Sequence, residues 1–389
     1  MIQEWNMEKI IILANKYPNK YEENVNVFTQ QVTWSLVDAG AECVVICPMP
    51  INYSKNNIKF NRTREEKTEY GKIIKIHHPK YIGFGQTGKY LLKTRVKLTQ
   101  FFYNQAVNKV LKKIDKKNAT LFAEFLCPAG VAASVLGNKY NLKSIMQCGE
   151  ATYQGDIKYG NQYLRKKLKY LSGVIALSKQ NKDFLLNAKV IESGKVTILP
   201  SGYRKERIYK RDKIESRKKL GLPVDKFIVG FCGSFDNRKG ILRLEKAIDG
   251  IDVPDVVLAA VGKGALMPTS PKLVFRDTIP HSELAYFYSS IDVFAFPTYN
   301  EGCCTAIVEA IACGCPIISS NRSFNYDICK ENNSILIEPN DIDELKRSII
   351  YLKNNKDARE KMSIASLELA KNLSLEAKSR KILEYINEI

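Results

Sequence analysis

The chain has 389 residues, 45% hydrophobic, 10% aromatic and 26% charged, which excludes a small stapled module and a disordered chain and predicts two domains, each with its own core. No run reaches the ~18 consecutive apolar residues that span a bilayer, and Ile10–Ala14 is too short for a signal-peptide core, so a cytoplasmic protein is expected. The formal charge of +19 is uneven: residues 1–200 carry 31 Lys+Arg against 15 Asp+Glu (+16), residues 201–389 carry 29 against 26 (+3). A one-sided basic field draws polyanions, so a membrane surface, nucleic acid and a phosphorylated substrate are the candidate partners.

In chain order, Lys9–Ala14 reads as a strand and Asn15–Glu23 as a loop. Val25, Phe28, Val32 and Leu36 recur at helical spacing, stop at Gly40, and are followed by a strand over Cys43–Cys47. That is a βαβ unit with a parallel sheet. The pattern restarts at Phe227–Cys232 (strand), Ile241–Ile248 (helix), Val256–Val261 (strand), Glu283–Ser289 (helix), Val293–Pro297 (strand), Thr305–Cys313 (helix) and Pro316–Ser319 (strand). The charged segment Arg204–Lys219 is the expected linker, and Ser374–Ile386 a final helix. Two doubly wound α/β lobes facing a cleft are predicted, with ligands at the carboxyl ends of the strands.

Gly83-Phe-Gly-Gln-Thr-Gly88-Lys89 satisfies G-x-G-x-x-G, yet His77-His78-Pro79-Lys80 before it is not a buried strand and Tyr90 cannot replace the hydroxyl that a phosphate loop gives to magnesium. It reads as a basic loop. From Tyr90 to Lys117, Leu91, Leu98, Phe101, Phe102, Val110, Leu111 and Ile114 alternate with eight Lys and Arg residues; the stretch either lies on anionic lipid or packs on the sheet with a solvated lysine face. No nucleic-acid motif accompanies the charge. His77, His78 and His281 lack metal-ligand spacing, and the ten cysteines form no C-x-x-C pair, so reduced, mostly buried thiols are expected.

The most specific segment is Tyr299-Asn-Glu301-Gly302-Cys303-Cys304-Thr305-Ala-Ile-Val-Glu309-Ala-Ile-Ala312-Cys-Gly314-Cys-Pro316. A strand ends at Pro297, a loop carries Glu301, and a helix begins near Thr305. Unbonded amides at that helix start, aided by its dipole, suit a diphosphate. Glu309, about one turn in, could accept from two vicinal ribose hydroxyls and Glu301 from a sugar; the alternative is an ordinary helix carboxylate and packing residues.

E-G-x6-E-A-x-A-x-G-x-P resembles the E-x7-E signature of retaining glycosyltransferases of family 4, which have the two-lobed GT-B fold. Gly233-Ser234-Phe-Asp-Asn-Arg238-Lys239-Gly240 resembles the family's G-x5-K-G loop, whose cations clamp the donor diphosphate, and Val261-Gly262-Lys-Gly264 its G-x-G turn. Leu199-Pro-Ser-Gly202 resembles the end of its first lobe, and Ala176-Leu-Ser178 the strand end before it. Ser234 stands where the family often carries Arg, with Arg238 nearby; Glu23-Asn-Val-Asn26 replaces the glycine-rich donor loop, and Cys148-Gly149-Glu150 replaces a His-Gly pair.

The resemblance implies a first lobe at 1–202, a nucleotide-sugar lobe at 203–370, and a C-terminal helix at 371–389 packing back across them. It implies Glu301, Lys239 and Arg238 as catalytic, and Gly233, Ser234, Gly302, Cys303, Cys304, Thr305 and Glu309 as donor-binding. Asn26, Cys148 and Glu150 lie on the acceptor side. The donor is expected to be a nucleotide diphosphate sugar, UDP-linked, with no metal and no cofactor. The acceptor is expected to be a lipid-linked or other bacterial surface glycan met at an anionic membrane, with no role for nucleic acid. A sugar-nucleotide epimerase and a non-catalytic polyanion-binding protein are the alternatives.

Overall fold

The structure is a computed structural model that describes residues 8–23, 25–51, 62–85 and 91–389. The chain divides into two compact units, the first of residues 1–177, 181–199 and 379–389, the second of 178–180 and 200–378. Residues 86–90, which hold the last glycine of the G-x-G-x-x-G stretch, lie outside the described residues.

In the first unit, β1 (Lys9–Leu13), α1 (Val27–Asp38), β2 (Glu42–Ile46) and β3 (Met49–Pro50) are followed by β4 (Thr63–Lys67), β5 (Ile73–His77), β6 (Lys80–Tyr81) and α2 (Leu92–Leu111). Then come β7 (Ala119–Glu124), α3 (Val131–Tyr140), β8 (Ser144–Cys148), α4 (Gly155–Lys158), α5 (Asn161–Leu168), β9 (Gly173–Ala176), α6 (Lys179–Asn187) and β10 (Val196–Ile198). Among the described residues the main sheet has the order β10-β9-β8-β7-β1-β2-β5-β4. Its pairs are parallel except β4 with β5. Central strands covered on both faces need unbroken apolar runs, and β7 and β8 are buried at every position. The edge strand β4, Thr-Arg-Glu-Glu-Lys, is charged, which protects an edge from further pairing. Glu66 on it accepts from Tyr17, Gln30, Trp34 and Arg64, tying the edge to α1 and the loop after β1.

Helix α2 sorts the apolar residues of the basic stretch. Val96, Tyr103, Val107 and Leu111 are buried, whereas Leu91, Leu98 and Phe101 are exposed. The Phe102 ring lies tilted at 6.1 Å from Phe84 and edge-on at 5.4 Å from Phe101. The helix therefore packs on the sheet with one face and presents apolar side chains among lysines on the other. Among the described residues no helix is long and apolar enough to cross a membrane.

The second unit contains α7 (Lys213–Leu220), β11 (Phe227–Cys232), α8 (Ile241–Asp249), β12 (Val256–Val261), β13 (Leu273–Asp277), α9 (Leu284–Ser290), β14 (Val293–Phe296), α10 (Thr305–Ala312), β15 (Ile317–Ser320), β16 (Ser334–Ile337), α11 (Ile342–Asn354) and α12 (Lys356–Ala370), and α13 (Leu375–Glu388) closes the chain. The sheet order is β13-β12-β11-β14-β15-β16, parallel throughout. The second half of α13 belongs to the first unit. There the Tyr385 hydroxyl accepts from the Val174 amide at 3.2 Å and donates to the Lys195 carbonyl at 2.8 Å.

The expected linker over Arg204–Lys219 is corrected by the structure. Its second half is α7 but for the last residue, capped by Asp212, whose side chain accepts from the Glu215 amide. Arg217, almost fully buried, donates to Asp292 Oδ2 at 2.7 Å and to the carbonyls of Ser290, Val224 and Lys226. Composition alone reads this arginine as solvated; only the carbonyl cage and Asp292 make its burial tolerable. Asp292 Oδ2 also accepts from the Ile228 amide at 2.7 Å, so the ion pair is part of the β11 framework. Asp292→Ala leaves a buried guanidinium without its counter-charge and is expected to cost about 3–5 kcal/mol, read from urea unfolding followed by circular dichroism.

Candidate active site

In the second unit the chain runs from β11 outward through β12 to β13, then returns to lay β14 on the other side of β11. The loops after β11 and β14 therefore leave the same sheet edge in opposite directions, which opens a crevice at the carboxyl ends of these strands. Every candidate donor residue lies on these two loops and on α10.

The first loop is clamped from one side by the turn after β12. The Gly233 amide donates to the Val261 carbonyl at 2.9 Å and the Phe235 amide to Lys263 O at 2.9 Å. Gly262 has φ +149, and a Cβ there would stand 1.9 Å from the Gly233 carbonyl oxygen. The G-x-G turn is thus required by backbone packed on backbone. From the other side the loop after β14 holds it. The Tyr299 amide and the Thr298 hydroxyl both donate to the Arg238 carbonyl, at 2.8 and 3.1 Å. Gly240, at φ +87, leaves room for the Pro297 carbonyl, which a Cβ would meet at 2.3 Å.

Held this way, Arg238 and Lys239 reach one carboxylate. Arg238 Nη1 lies 2.6 Å and Lys239 Nζ 2.5 Å from Glu301 Oε1, with Thr298 Oγ1 at 3.3 Å. Glu301 is 8% exposed, so this is a partly desolvated cluster in which each Coulomb interaction counts for more than at the surface. Arg238 further donates to the Asn300 carbonyl at 2.8 Å. Ser234 does not join the cluster: its hydroxyl donates to Asp236 Oδ2 at 2.6 Å, while Asp236 Oδ1 accepts from the Lys239 amide at 2.8 Å. Burial works to raise the Asp236 carboxyl, but the bonds from Ser234 and the Lys239 amide and the charges of Arg238 and Lys239 outweigh it and hold the group below its ordinary value.

Past Gly302, α10 starts with Cys304 in extended conformation and no side-chain cap. Ile307 and Val308 amides return to Cys304 O, whereas the Thr305 and Ala306 amides make no hydrogen bond among the described residues. Those two donors, at the positive end of the helix, suit an anion. Cys303 Sγ accepts from the Ser201 amide at 3.3 Å, and burial pushes both Cys303 and Cys304 thiols up, so neither supplies a thiolate. Glu309, 5% exposed, stands apart from Glu301: Oε1 is 2.8 Å from His281 Nε2 and Oε2 accepts from Tyr288 OH at 3.0 Å. Each oxygen keeps a second acceptor position. His281, Tyr288, Thr298 and Asp236 were not singled out from the sequence for this site; Asp236 alone had a local signal, its three-residue spacing to Lys239 being that of a side chain capping a turn.

The first-unit candidates form a separate group. Cys148 ends β8 and its thiol donates to Glu150 Oε2 at 2.9 Å, beside the Gly149 amide at 3.0 Å. Glu150 Oε1 accepts from the Leu126 amide at 2.6 Å. Burial first, then the charge of Glu150, pushes the Cys148 thiol far up, so it stands as an S–H donor. Glu150 thus braces the turn after β7. Asn26, left-handed at φ 46, opens α1 without a capping bond, and Phe28 one residue into that helix meets Phe125 edge-on at 5.5 Å. Among the described residues no group of three or more His, Cys, Asp or Glu is placed to hold a metal ion.

Residues 212–368 match the family model described as glycosyl transferases group 1. TuaC of Bacillus subtilis, a glycosyltransferase named for teichuronic acid biosynthesis, is 24% identical over 351 residues, 88% of either chain. The UDP-Gal:alpha-D-GlcNAc-diphosphoundecaprenol alpha-1,3-galactosyltransferase of Escherichia coli is 29% identical over 201 residues, 47% of this chain and 51% of that protein. Among solved structures, sucrose-phosphate synthase from Thermosynechococcus elongatus superposes with TM-score 0.74 at 19% identity over 98% of both chains. The fold is GT-B, the second unit carries a group 1 glycosyltransferase domain, and the chain is a glycosyltransferase.

The lowered carboxyl of Asp236 sets a pH dependence. A native-state value below the unfolded one gives stability that is present above the unfolded value, about 3.9, and is lost as pH falls through the native value. The difference in melting temperature between wild type and Asp236→Asn should therefore be full at neutral pH and shrink below about pH 4, read by calorimetry across that range.

Proposed function

We propose that the second unit binds a UDP-linked sugar, and that the protein transfers the sugar, with retention at the anomeric carbon, to a hydroxyl of a lipid-linked or other bacterial surface glycan. The observation that carries this reading is the meeting of Arg238, Lys239 and Glu301 four residues before the unbonded amides of Thr305 and Ala306. In the reaction the bond from the anomeric carbon to the β-phosphate oxygen breaks and its electron pair leaves with the diphosphate. The acceptor oxygen bonds to the same face of that carbon, and its proton passes to the departing phosphate oxygen. Negative charge grows on the diphosphate, where fixed cations and helix-start amides stabilise it best.

In this scheme Lys239 and Arg238 face the leaving diphosphate, with Gly233, Ser234, Gly302, Cys303, Cys304 and Thr305 lining its backbone cradle. Glu301 contacts the sugar while keeping the two cations together. Glu309, oriented by His281 and Tyr288, offers its remaining acceptor positions to the ribose, so Glu301 and Glu309 act as the E-x7-E pair of family 4. The scheme calls on no metal ion and no cofactor. UDP and a lipid-linked acceptor are favoured because the Escherichia coli relative is named for UDP-Gal and a diphosphoundecaprenol acceptor. Peripheral contact with the cytoplasmic face of an anionic membrane fits α2, whose exposed Leu98 and Phe101 stand among lysines. Asn26, Cys148 and Glu150 are assigned to the acceptor side, the last two through the backbone they brace.

A thermal-shift screen against UDP-, GDP- and ADP-sugars tests the donor: a ligand at 100 times its Kd adds about 2.7 kcal/mol of stability, and UDP-sugars should give the largest rise. Release of a new sugar nucleotide without acceptor would establish the epimerase instead. Glu301→Gln and Lys239→Ala should each lower kcat by ~10²-fold or more; wild-type turnover in both would overturn the assignment. Loss of binding to phosphatidylglycerol vesicles when salt is raised from low to ~1 M is expected for peripheral contact.

A further inference from the structure

A cavity of about 310 Å³ opens in the first unit between the β4–β5 edge and the C-terminal half of α2. Among the described residues its polar wall is Arg62, Thr63, His77, Lys80, Lys109 and Lys113, the rest is apolar, and no Asp or Glu lines it. None of the four cations has an ion-pair partner among the described residues. Lys109 on the last turn of α2 and Lys113 in the turn that follows the helix both line the cavity. On the neighbouring strand β4, Arg64 is matched by Glu66 at 2.9 Å. Here four like charges line a hollow with no carboxylate opposing them among the described residues, an arrangement that repels itself until an anion enters.

His77 adds a hydrogen-bonding group. Its Nδ1 lies 3.2 Å from Thr63 Oγ1, and its Nε2 is buried without a hydrogen-bond partner among the described residues. Burial, then the charge of Lys75, holds the ring below its ordinary value, so at neutral pH it adds no fifth charge. A buried polar nitrogen with no partner is costly, and with the ring proton on Nε2 an oxyanion in the cavity would remove that cost. The volume lies within the range of small-ligand pockets, and four cations exceed what one carboxylate requires. We propose that this cavity is a second anion site, built from residues separate from the donor site, and that it takes a phosphate mono- or diester group.

The chain's three histidines provide the test. In the full chain labelled with ¹⁵N-histidine, inorganic pyrophosphate should move the His77 signal, while His281 reports independently on the donor site beside Glu309. Lys109→Glu with Lys113→Glu should weaken the His77 response at least about tenfold, or ~1.4 kcal/mol. Lys112→Glu with Lys117→Glu removes the same charge outside the cavity and should change it less than about threefold. Unmoved His78 and His281 signals in the free variants show that the fold is kept. A second arm measures co-sedimentation with vesicles of equal parts phosphatidylglycerol and phosphatidylcholine at ~0.15 M salt.

Loss of vesicle binding in the cavity pair and not in the control pair identifies a lipid-borne phosphate. A His77 response with equal vesicle binding in both pairs identifies a soluble one. A His77 signal indifferent to pyrophosphate, together with equal vesicle behaviour of the two pairs, overturns the proposal. Movement of His281 with pyrophosphate while His77 stays fixed would leave the donor reading standing and this one refuted.

Discussion

The reversal of strand order at β11 and β14 is the constraint on which the site depends. Parallel strands deliver all their outgoing loops to one edge, and only where the winding changes direction do two such loops diverge and leave room between them. The loop after β11 brings Arg238 and Lys239, and the loop after β14 brings Glu301, so residues more than sixty positions apart meet at 2.5–2.6 Å. Asp236 fastens the first loop from within, and the bonds from Thr298 and Tyr299 to Arg238 O hold it against the second.

Carboxylates in this protein act as fasteners more often than as isolated charges. Asp236 closes the loop onto its own backbone, Glu150 ties the turn after β7 to β8, Asp292 holds α7 on β11, and Glu66 secures an edge strand. A carboxylate accepts several bonds at once, and in a partly dry setting charge-assisted bonds are stronger than neutral ones. The same economy explains why Glu309 is not a loose helix carboxylate: His281 and Tyr288 fix its plane, which a group that must present two acceptor oxygens in defined directions requires.

The basic excess of the first half is likewise organised by the fold. Glu66 and Asp115 absorb part of it, at Arg64 and Lys9. Another part lies along α2, where lysines stand next to exposed Leu98 and Phe101, and around the cavity beside β4 and β5, whose described lining holds four cations and no carboxylate. Helix α2 buries one face in the core of the first unit and leaves Leu98 and Phe101 exposed among lysines on the other.

By itself the sequence determined the α/β class, the strands at Phe227–Cys232 and Val256–Val261, and the helix beginning at Thr305, because apolar period, β-branched runs and glycine stops are local properties. It also marked Glu301, Glu309, Arg238 and Lys239 through spacing and resemblance. Only the tertiary structure decided that Arg238, Lys239 and Glu301 share one point, that Glu309 is held by His281 and Tyr288 instead, and that Arg217 is a buried anchor within a segment that composition marks as a linker. Each of these rests on partners distant in the chain. A side chain's charge is written in the sequence, but whether that charge is solvated, paired or left facing a cavity depends on which strands become neighbours.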